Sequence, residues 1–196
     1  EYLDALEKEI AFTAELYKDK VLDTIYIGGG TPTTLEACEL TRLFASIKKS
    51  FDLTHLKEFT VEAGRADSIT PDKLHVLKEA GVTRISVNPQ TMKQETLDLI
   101  ARKHTVAQVK EAFLMAREAG FTNINMDLIL GLPGESAADV QNTMEQIKKL
   151  DPDSLTVHSL AVKRASRLSQ WIEENGISML NNTDETMQIT ARGAEE

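Results

Sequence analysis

Five short runs of β-branched and apolar residues, each followed by a stretch of helical periodicity, constrain the fold of this chain more than any other feature. The runs are 24–27, 58–62, 83–88, 123–129 and 154–158. Their Thr, Ile, Val and aromatic content suits strands. Between them, apolar residues recur every three or four positions. This predicts helices over 35–50, 71–80, 93–101, 105–119 and 136–149, a further amphipathic helix over 1–20 and a weaker one over 166–174. Thr70 and Thr105 stand as N-caps, Pro71 takes a first helical position, and Gly81 and Gly120 mark helix ends. Repeated strand–helix alternation argues for a parallel sheet with helical crossovers. Each helix has one apolar face, so the helices are expected on one side of the sheet, as in a part-barrel rather than a doubly wound sheet. A closed eight-stranded barrel takes about 250 residues, and this chain has 196. The expected fold class is therefore α/β, a partial barrel of parallel strands that lacks its first strand. It is expected to fill residues 1–180, with 181–196 as a tail where the apolar pattern fades.

The first strand runs directly into Gly28-Gly29-Gly30-Thr31-Pro32-Thr33. One glycine is enough for a strand-to-helix turn, whereas three let the backbone approach a ligand with no Cβ in the way. No Gly-Lys-Ser/Thr follows, and the glycines are contiguous rather than spaced, so neither nucleotide-binding fingerprint is met. The run marks a small-ligand site at a strand end and leaves the ligand open. Thr33 or Thr34 is expected to cap the next helix. Cys38, the sole cysteine, is expected to be a small buried thiol within it. A formal net charge of -9 argues against nucleic acid as a main partner. No apolar run approaches the ~18 residues of a membrane span. One cysteine provides no disulfide framework, and with a charged amphipathic helix in place of a secretory leader the expected setting is the reducing cytoplasm. No metal-ligand spacing is visible.

In folds of this kind ligands sit at the carboxyl ends of the strands. The first strand delivers Gly28, Gly29, Gly30 and Thr31 there, and the second Glu62 followed by Ala63-Gly64-Arg65. The third delivers Asn88-Pro89-Gln90, the fourth Asp127 ahead of a break at Gly131, and the fifth His158 and Ser159 with Ala161 just beyond. Arg102, at a helix end, can reach the same face. Each has an ordinary structural alternative. Glu62 could pair with Arg65, Gln90 could cap a helix, Arg102 could be a solvated helix end, and His158 could be a satisfied core histidine. Asp127, in an otherwise apolar run, needs a partner. Together the groups suit a zwitterion that carries a sugar. Glycine carbonyls and Glu62 would take an ammonium, Arg102 a carboxylate in fork geometry, and Asp127 or Gln90 hydroxyls or an amine.

Tyr26-Ile-Gly-Gly-Gly-Thr-Pro-Thr33, Glu62, Asn88-Pro-Gln90, Arg102 and Asn125-Met-Asp-Leu-Ile-Leu-Gly-Leu-Pro133 resemble the radical S-adenosylmethionine (SAM) enzymes of the oxygen-independent coproporphyrinogen III oxidase type. The resemblance covers roughly residues 1–168. The segments 61–65 and 86–92 are closer to the coproporphyrinogen dehydrogenase branch than to the best-known members, which carry Asp-Pro and Gly-Val-Gln there. The resemblance implies a six-stranded part-barrel, SAM and a [4Fe–4S] cluster held by a Cys-x3-Cys-x2-Cys loop, an electron donor, and a tetrapyrrole substrate whose propionates are oxidatively decarboxylated to vinyls. By matching position, Gly29 and Glu62 would contact the cluster-bound SAM. Gly30, Thr31, Gln90, Arg102, Asp127 and Ala161 would line a second SAM or substrate-side site. The chain has no such cysteine loop, and Cys38 cannot replace three thiolates. It is therefore expected to be a core-domain piece that is inactive and holds no cluster by itself. A haem-binding chaperone with the same core and an unrelated barrel enzyme with similar glycines are the alternatives.

Overall fold

The computed structural model describes residues 1–161 and 167–176. Five strands, β1 (Thr24–Ile27), β2 (Glu58–Ala63), β3 (Arg84–Gln90), β4 (Ile124–Leu130) and β5 (Ser154–Ser159), form one sheet in the order β1-β2-β3-β4-β5. All four pairings are parallel. Strands laid down in chain order in one direction make the wall of a barrel, since a doubly wound sheet reverses at a switch point. Among the described residues β1 and β5 are not paired, so the barrel is open. The helices are α1 (Tyr2–Leu16), α2 (Ala37–Ser50), α3 (Pro71–Ala80), α4 (Gln94–Leu99), α5 (Val106–Glu118), α6 (Ala137–Leu150) and α7 (Arg167–Asn175). The expected tail at 181–196 lies outside the described residues.

The core lies between one face of the sheet and helices α2, α3, α5 and α6. Phe59, Val61, Ile85, Val87, Ile124 and Met126 meet the helix stripes there in a single cluster. Local chemistry sets the helix ends. The Thr70 hydroxyl accepts from the Lys73 N–H, and Gly81 closes α3 in the left-handed conformation with φ 92°. Thr105 with Gln108 and Ser136 with Asp139 form capping boxes on α5 and α6.

Two local expectations fail. Thr33 and Thr34 do not cap α2. Pro32 starts a 3-10 turn over Pro32–Thr34, the Thr34 hydroxyl turns back to the Thr31 carbonyl, and Glu36 becomes the cap, its N–H donating to Glu39 at 2.8 Å. Cys38 is exposed. The buried stripe of α2 runs through Leu40, Leu43, Phe44 and Ile47, and position 38 falls off it.

Candidate active site

Alternation along the strands sends every second side chain away from the helices. On that second face β1 presents Tyr26, β2 Thr60 and Glu62, β3 Ser86 and Asn88, and β4 Asn125 and Asp127. The register sets Tyr26 beside Thr60, Glu62 beside Ser86, Ser86 beside Asn125, and Asp127 beside Thr156 of β5. Asn125 organises the β4–β5 side. Its carbonyl oxygen accepts from the Ser154 and Thr156 hydroxyls at 2.8 and 3.1 Å, and its amide donates to Asp127 Oδ1 at 2.6 Å. Asn125 is thus the partner that Asp127 requires.

Glu62 does not pair with Arg65. Its Oε1 accepts from the Tyr26 hydroxyl, and its Oε2 accepts from the Gly29 N–H at 3.3 Å. Arg65 forks instead onto Asp67, at 3.2 and 2.9 Å, because the 3-10 turn Ala66–Ser68 brings that carboxylate back beside it. Burial, then the Glu62 hydrogen bond and charge, then the Asp127 charge push the Tyr26 hydroxyl up to about 12, with Arg84 opposing. The raised pKa keeps the phenol protonated and a donor to Glu62.

The three glycines serve different needs. A Cβ at Gly28 would stand 2.4 Å from Tyr26 Cε1 and 3.0 Å from the Glu62 carboxyl carbon. Gly29 and Gly30 have open space around them but take φ of 82° and 59°, a region that glycine enters without strain. The far end of the loop is fastened to the β2–α3 connection. Lys73, itself buried, donates through Nζ to the Thr33 carbonyl at 2.9 Å, and the Thr33 and Ser68 hydroxyls lie 2.6 Å apart. Sequence reasoning missed Lys73; the available signal was its place one and two turns before Leu77 and Ala80 on the buried stripe of α3.

A second, positive region lies at the same rim. Arg102, half-buried, has its guanidinium pKa lowered first by burial and then by the neighbouring Arg65 charge, while Asp67 opposes. His104 is buried, and neither ring nitrogen reaches a hydrogen-bond partner among the described residues. Burial lowers its pKa, and the Pro89 carbonyl facing it partly offsets the effect without completing a bond.

Gln90 is the last residue of β3, at the expected strand end. A bulge between β3 and β4 moves the pairing from Val87↔Met126 to Gln90↔Leu128, and Gln90 is buried with φ 69°. The bulge, not alternation, directs its side chain. Gln90 does not cap α4, whose N-cap is Lys93. The segment after it is tied to the loop beyond β4: the Thr91 hydroxyl meets Glu135, and Lys93 Nζ reaches the Gly134 carbonyl at 2.9 Å and Asp139 at 3.0 Å. Burial raises the Glu135 pKa, against which the Thr91 and Thr96 hydroxyls act. Ala161 is exposed just past β5, where the Leu160 N–H extends the pairing to the Leu130 carbonyl at 2.9 Å. His158 is exposed rather than a core histidine, because it belongs to the polar face at the end of β5.

The site is a rim at the strand carboxyl ends that gathers the glycine loop after β1, Glu62 at the end of β2, Asp127 on β4, and Arg65 and Arg102 in the connections after β2 and α4. Asn88 adds a buried amide oxygen with no partner among the described residues, the kind of atom that a ligand donor satisfies. Such a donor set fits the amino acid and ribose groups of SAM. It does not fit an iron–sulfur cluster: among the described residues no group of three or more His, Cys, Asp or Glu could hold a metal, and the sole cysteine is exposed on α2.

A family model described as the radical SAM superfamily matches residues 4–147. The chain belongs to the radical SAM superfamily. Within it, this radical SAM chain is 47% identical, over 78% of its length and 30% of the relative, to the oxygen-independent coproporphyrinogen-III oxidase-like protein HemZ of Bacillus subtilis. It is 40% identical, over 83% of its length and 43% of the relative, to the heme chaperone HemW of the same organism. Among solved structures it is similar to coproporphyrinogen III oxidase HemN of Escherichia coli, a radical SAM enzyme, with a TM-score of 0.85 and 29% identity over 98% of this chain and 45% of that one. The chain thus spans less than half the length of these relatives. The open α/β sheet is the radical SAM fold that HemN shares.

Proposed function

We propose that this chain forms the SAM-binding wall of a cytoplasmic radical SAM protein of tetrapyrrole metabolism, which oxidatively decarboxylates coproporphyrinogen III propionates to vinyl groups with electrons from a separate donor. The observation that carries the reading is the two-signed rim. Glu62, Tyr26 and Asp127 favour a cationic group, Arg102 beside Arg65 favours a carboxylate, and Gly29 and Gly30 leave open space at the end of β1 for a close ligand. SAM carries both an ammonium and a carboxylate, the two charges that such groups recognise. When bound, SAM is the source of the radical on which the family's chemistry depends. The residues of this chain bind and orient it. Gly29 and Glu62 hold the ammonium of the cluster-bound SAM, and Gly30, Thr31, Gln90, Arg102, Asp127 and Ala161 line a second SAM or substrate-side site, where the Arg102 guanidinium takes a carboxylate. Cluster ligands are assigned to none of the described residues.

The 40% identity to a heme chaperone supports a second reading, in which the same core carries haem without turnover. One experiment separates the two. The full-length protein is reconstituted anaerobically with iron, sulfide and SAM, then assayed for porphyrinogen decarboxylation and for stable haem binding. Protoporphyrinogen formation coupled to 5′-deoxyadenosine is the expected result. Stoichiometric haem retention without turnover would replace the oxidase reading with the chaperone one.

A further inference from the structure

The two oxygens of Glu62 are held unequally. Oε1 accepts from the Tyr26 hydroxyl, whereas the Gly29 amide approaches Oε2 only at 3.3 Å, beyond the usual N–H···O range. Burial and the adjacent carboxylates keep the phenol protonated, so it never ceases to donate at working pH. Tyr26 is in register with Thr60, two residues before Glu62 on β2. Its ring therefore reaches diagonally over the start of the glycine loop. Gly28 is the residue crossed, which is why a Cβ there would collide with both Tyr26 and Glu62. This demand for space is separate from the backbone demand at Gly29 and Gly30.

We propose that Tyr26 is a positioning residue: its hydroxyl anchors Glu62 through Oε1 and so presents Oε2, loosely held by the Gly29 amide, to the ammonium group of the ligand. The inference rests on the SAM reading of the site. On binding, a ligand N–H replaces the Gly29 N–H at Oε2, the phenol bond stays, and no proton is transferred. Gly28 belongs to the same device, because only a residue without a Cβ lets Tyr26 lie across to Glu62. Without the hydroxyl, the Glu62 side chain regains rotamers that it must give up again when the ligand binds.

Calorimetric titration of the full-length protein with SAM, and with an analogue that lacks only the α-amino group, tests this. Tyr26→Phe keeps the ring and is expected to weaken SAM about tenfold, as befits a hydrogen bond to a charged group. It should leave the deaminated analogue within about twofold of wild type. In a Glu62→Gln background the Tyr26→Phe change should cost nothing further, because the phenol acts through that carboxylate. Gly28→Ala should reproduce the Tyr26→Phe loss. Wild-type affinity in Tyr26→Phe overturns the inference. So does an equal loss for both ligands, or a loss that adds in full to that of Glu62→Gln. If the deaminated analogue binds neither protein, the double-mutant cycle decides by the same criterion. If wild type itself binds no SAM, the site reading falls first and takes the inference with it, an outcome distinct from a wild type that binds and a Tyr26→Phe variant that binds equally well.

Discussion

The two faces of this sheet follow different rules. Against the helices, Phe59, Val61, Ile85, Val87, Ile124 and Met126 are at most 1% exposed and wholly apolar. On the other face the same three strands carry Thr60, Glu62, Ser86, Asn88, Asn125 and Asp127. A parallel sheet covered on both sides reads as continuous apolar runs; β2, β3 and β4 alternate instead. The first face supplies stability through apolar packing, whereas the groups of the second, placed under a layer of apolar helices, would each need a partner. Asn88, whose buried amide oxygen has none among the described residues, marks where the second face remains incomplete.

The sharpest test of that division is a pair of substitutions at adjacent positions of β2. Phe59 packs edge-on against Phe44 with ring centroids 5.7 Å apart. Phe59→Ala is expected to cost about 3–5 kcal/mol in denaturant unfolding. Thr60→Val, one residue on and facing the other way, should cost no more than about 1 kcal/mol. Equal losses would break the comparison.

Within the polar face, Glu62 and Asp127 should fail differently in the full-length protein. Glu62→Ala removes a charge-assisted contact to an ammonium, worth about 1.5–3 kcal/mol, and should lower 5′-deoxyadenosine formation with or without substrate. Asp127→Ala should spare that cleavage and depress substrate turnover. Melting temperatures taken on the same samples control for folding, and a shared loss of stability with no such split would remove the distinction.

Arg102 gives a smaller effect of opposite sign in stability. Its charge is held half-buried beside Arg65, an arrangement that favours an anion more than it favours the folded chain. Arg102→Gln is expected to leave the melting temperature unchanged or slightly raised while SAM affinity falls. A clear loss of stability would make Arg102 a structural residue.

The smallest effect lies away from both faces, at the cap of α6. Asp139 has its pKa lowered to about 2 by the backbone and side-chain hydrogen bonds of Ser136, with Lys93 adding to them. A carboxylate held below its ordinary value adds stability above that value, and the contribution disappears as pH falls through the folded pKa. Stability should therefore decline as pH drops from about 4 towards 2. Ser136→Ala is expected to cost about 1 kcal/mol at neutral pH and to shrink that acid-induced decline. Urea melts across the range measure both, and an unchanged acid slope would remove Asp139 as its source.

The amino-acid sequence alone determined the features that depend on neighbours a few residues away. The span of β1, the limits of α3 between Thr70 and Gly81, and the glycine loop at the strand end were legible because periodicity, capping and glycine content act locally. The count and parallel order of the strands followed from alternation, and the polar strand ends followed from position. Tertiary structure decided which partner each polar group took. Glu62 met Tyr26, 36 residues away, rather than Arg65, three residues on, and Thr33 was fastened by Lys73, 40 residues away. It also placed the bulge that moved Gln90 into register with Leu128, and it left Cys38 outside the buried stripe of α2. These outcomes depend on strand register and helix rotation, which are set when the whole core packs, so no local stretch of sequence contains them.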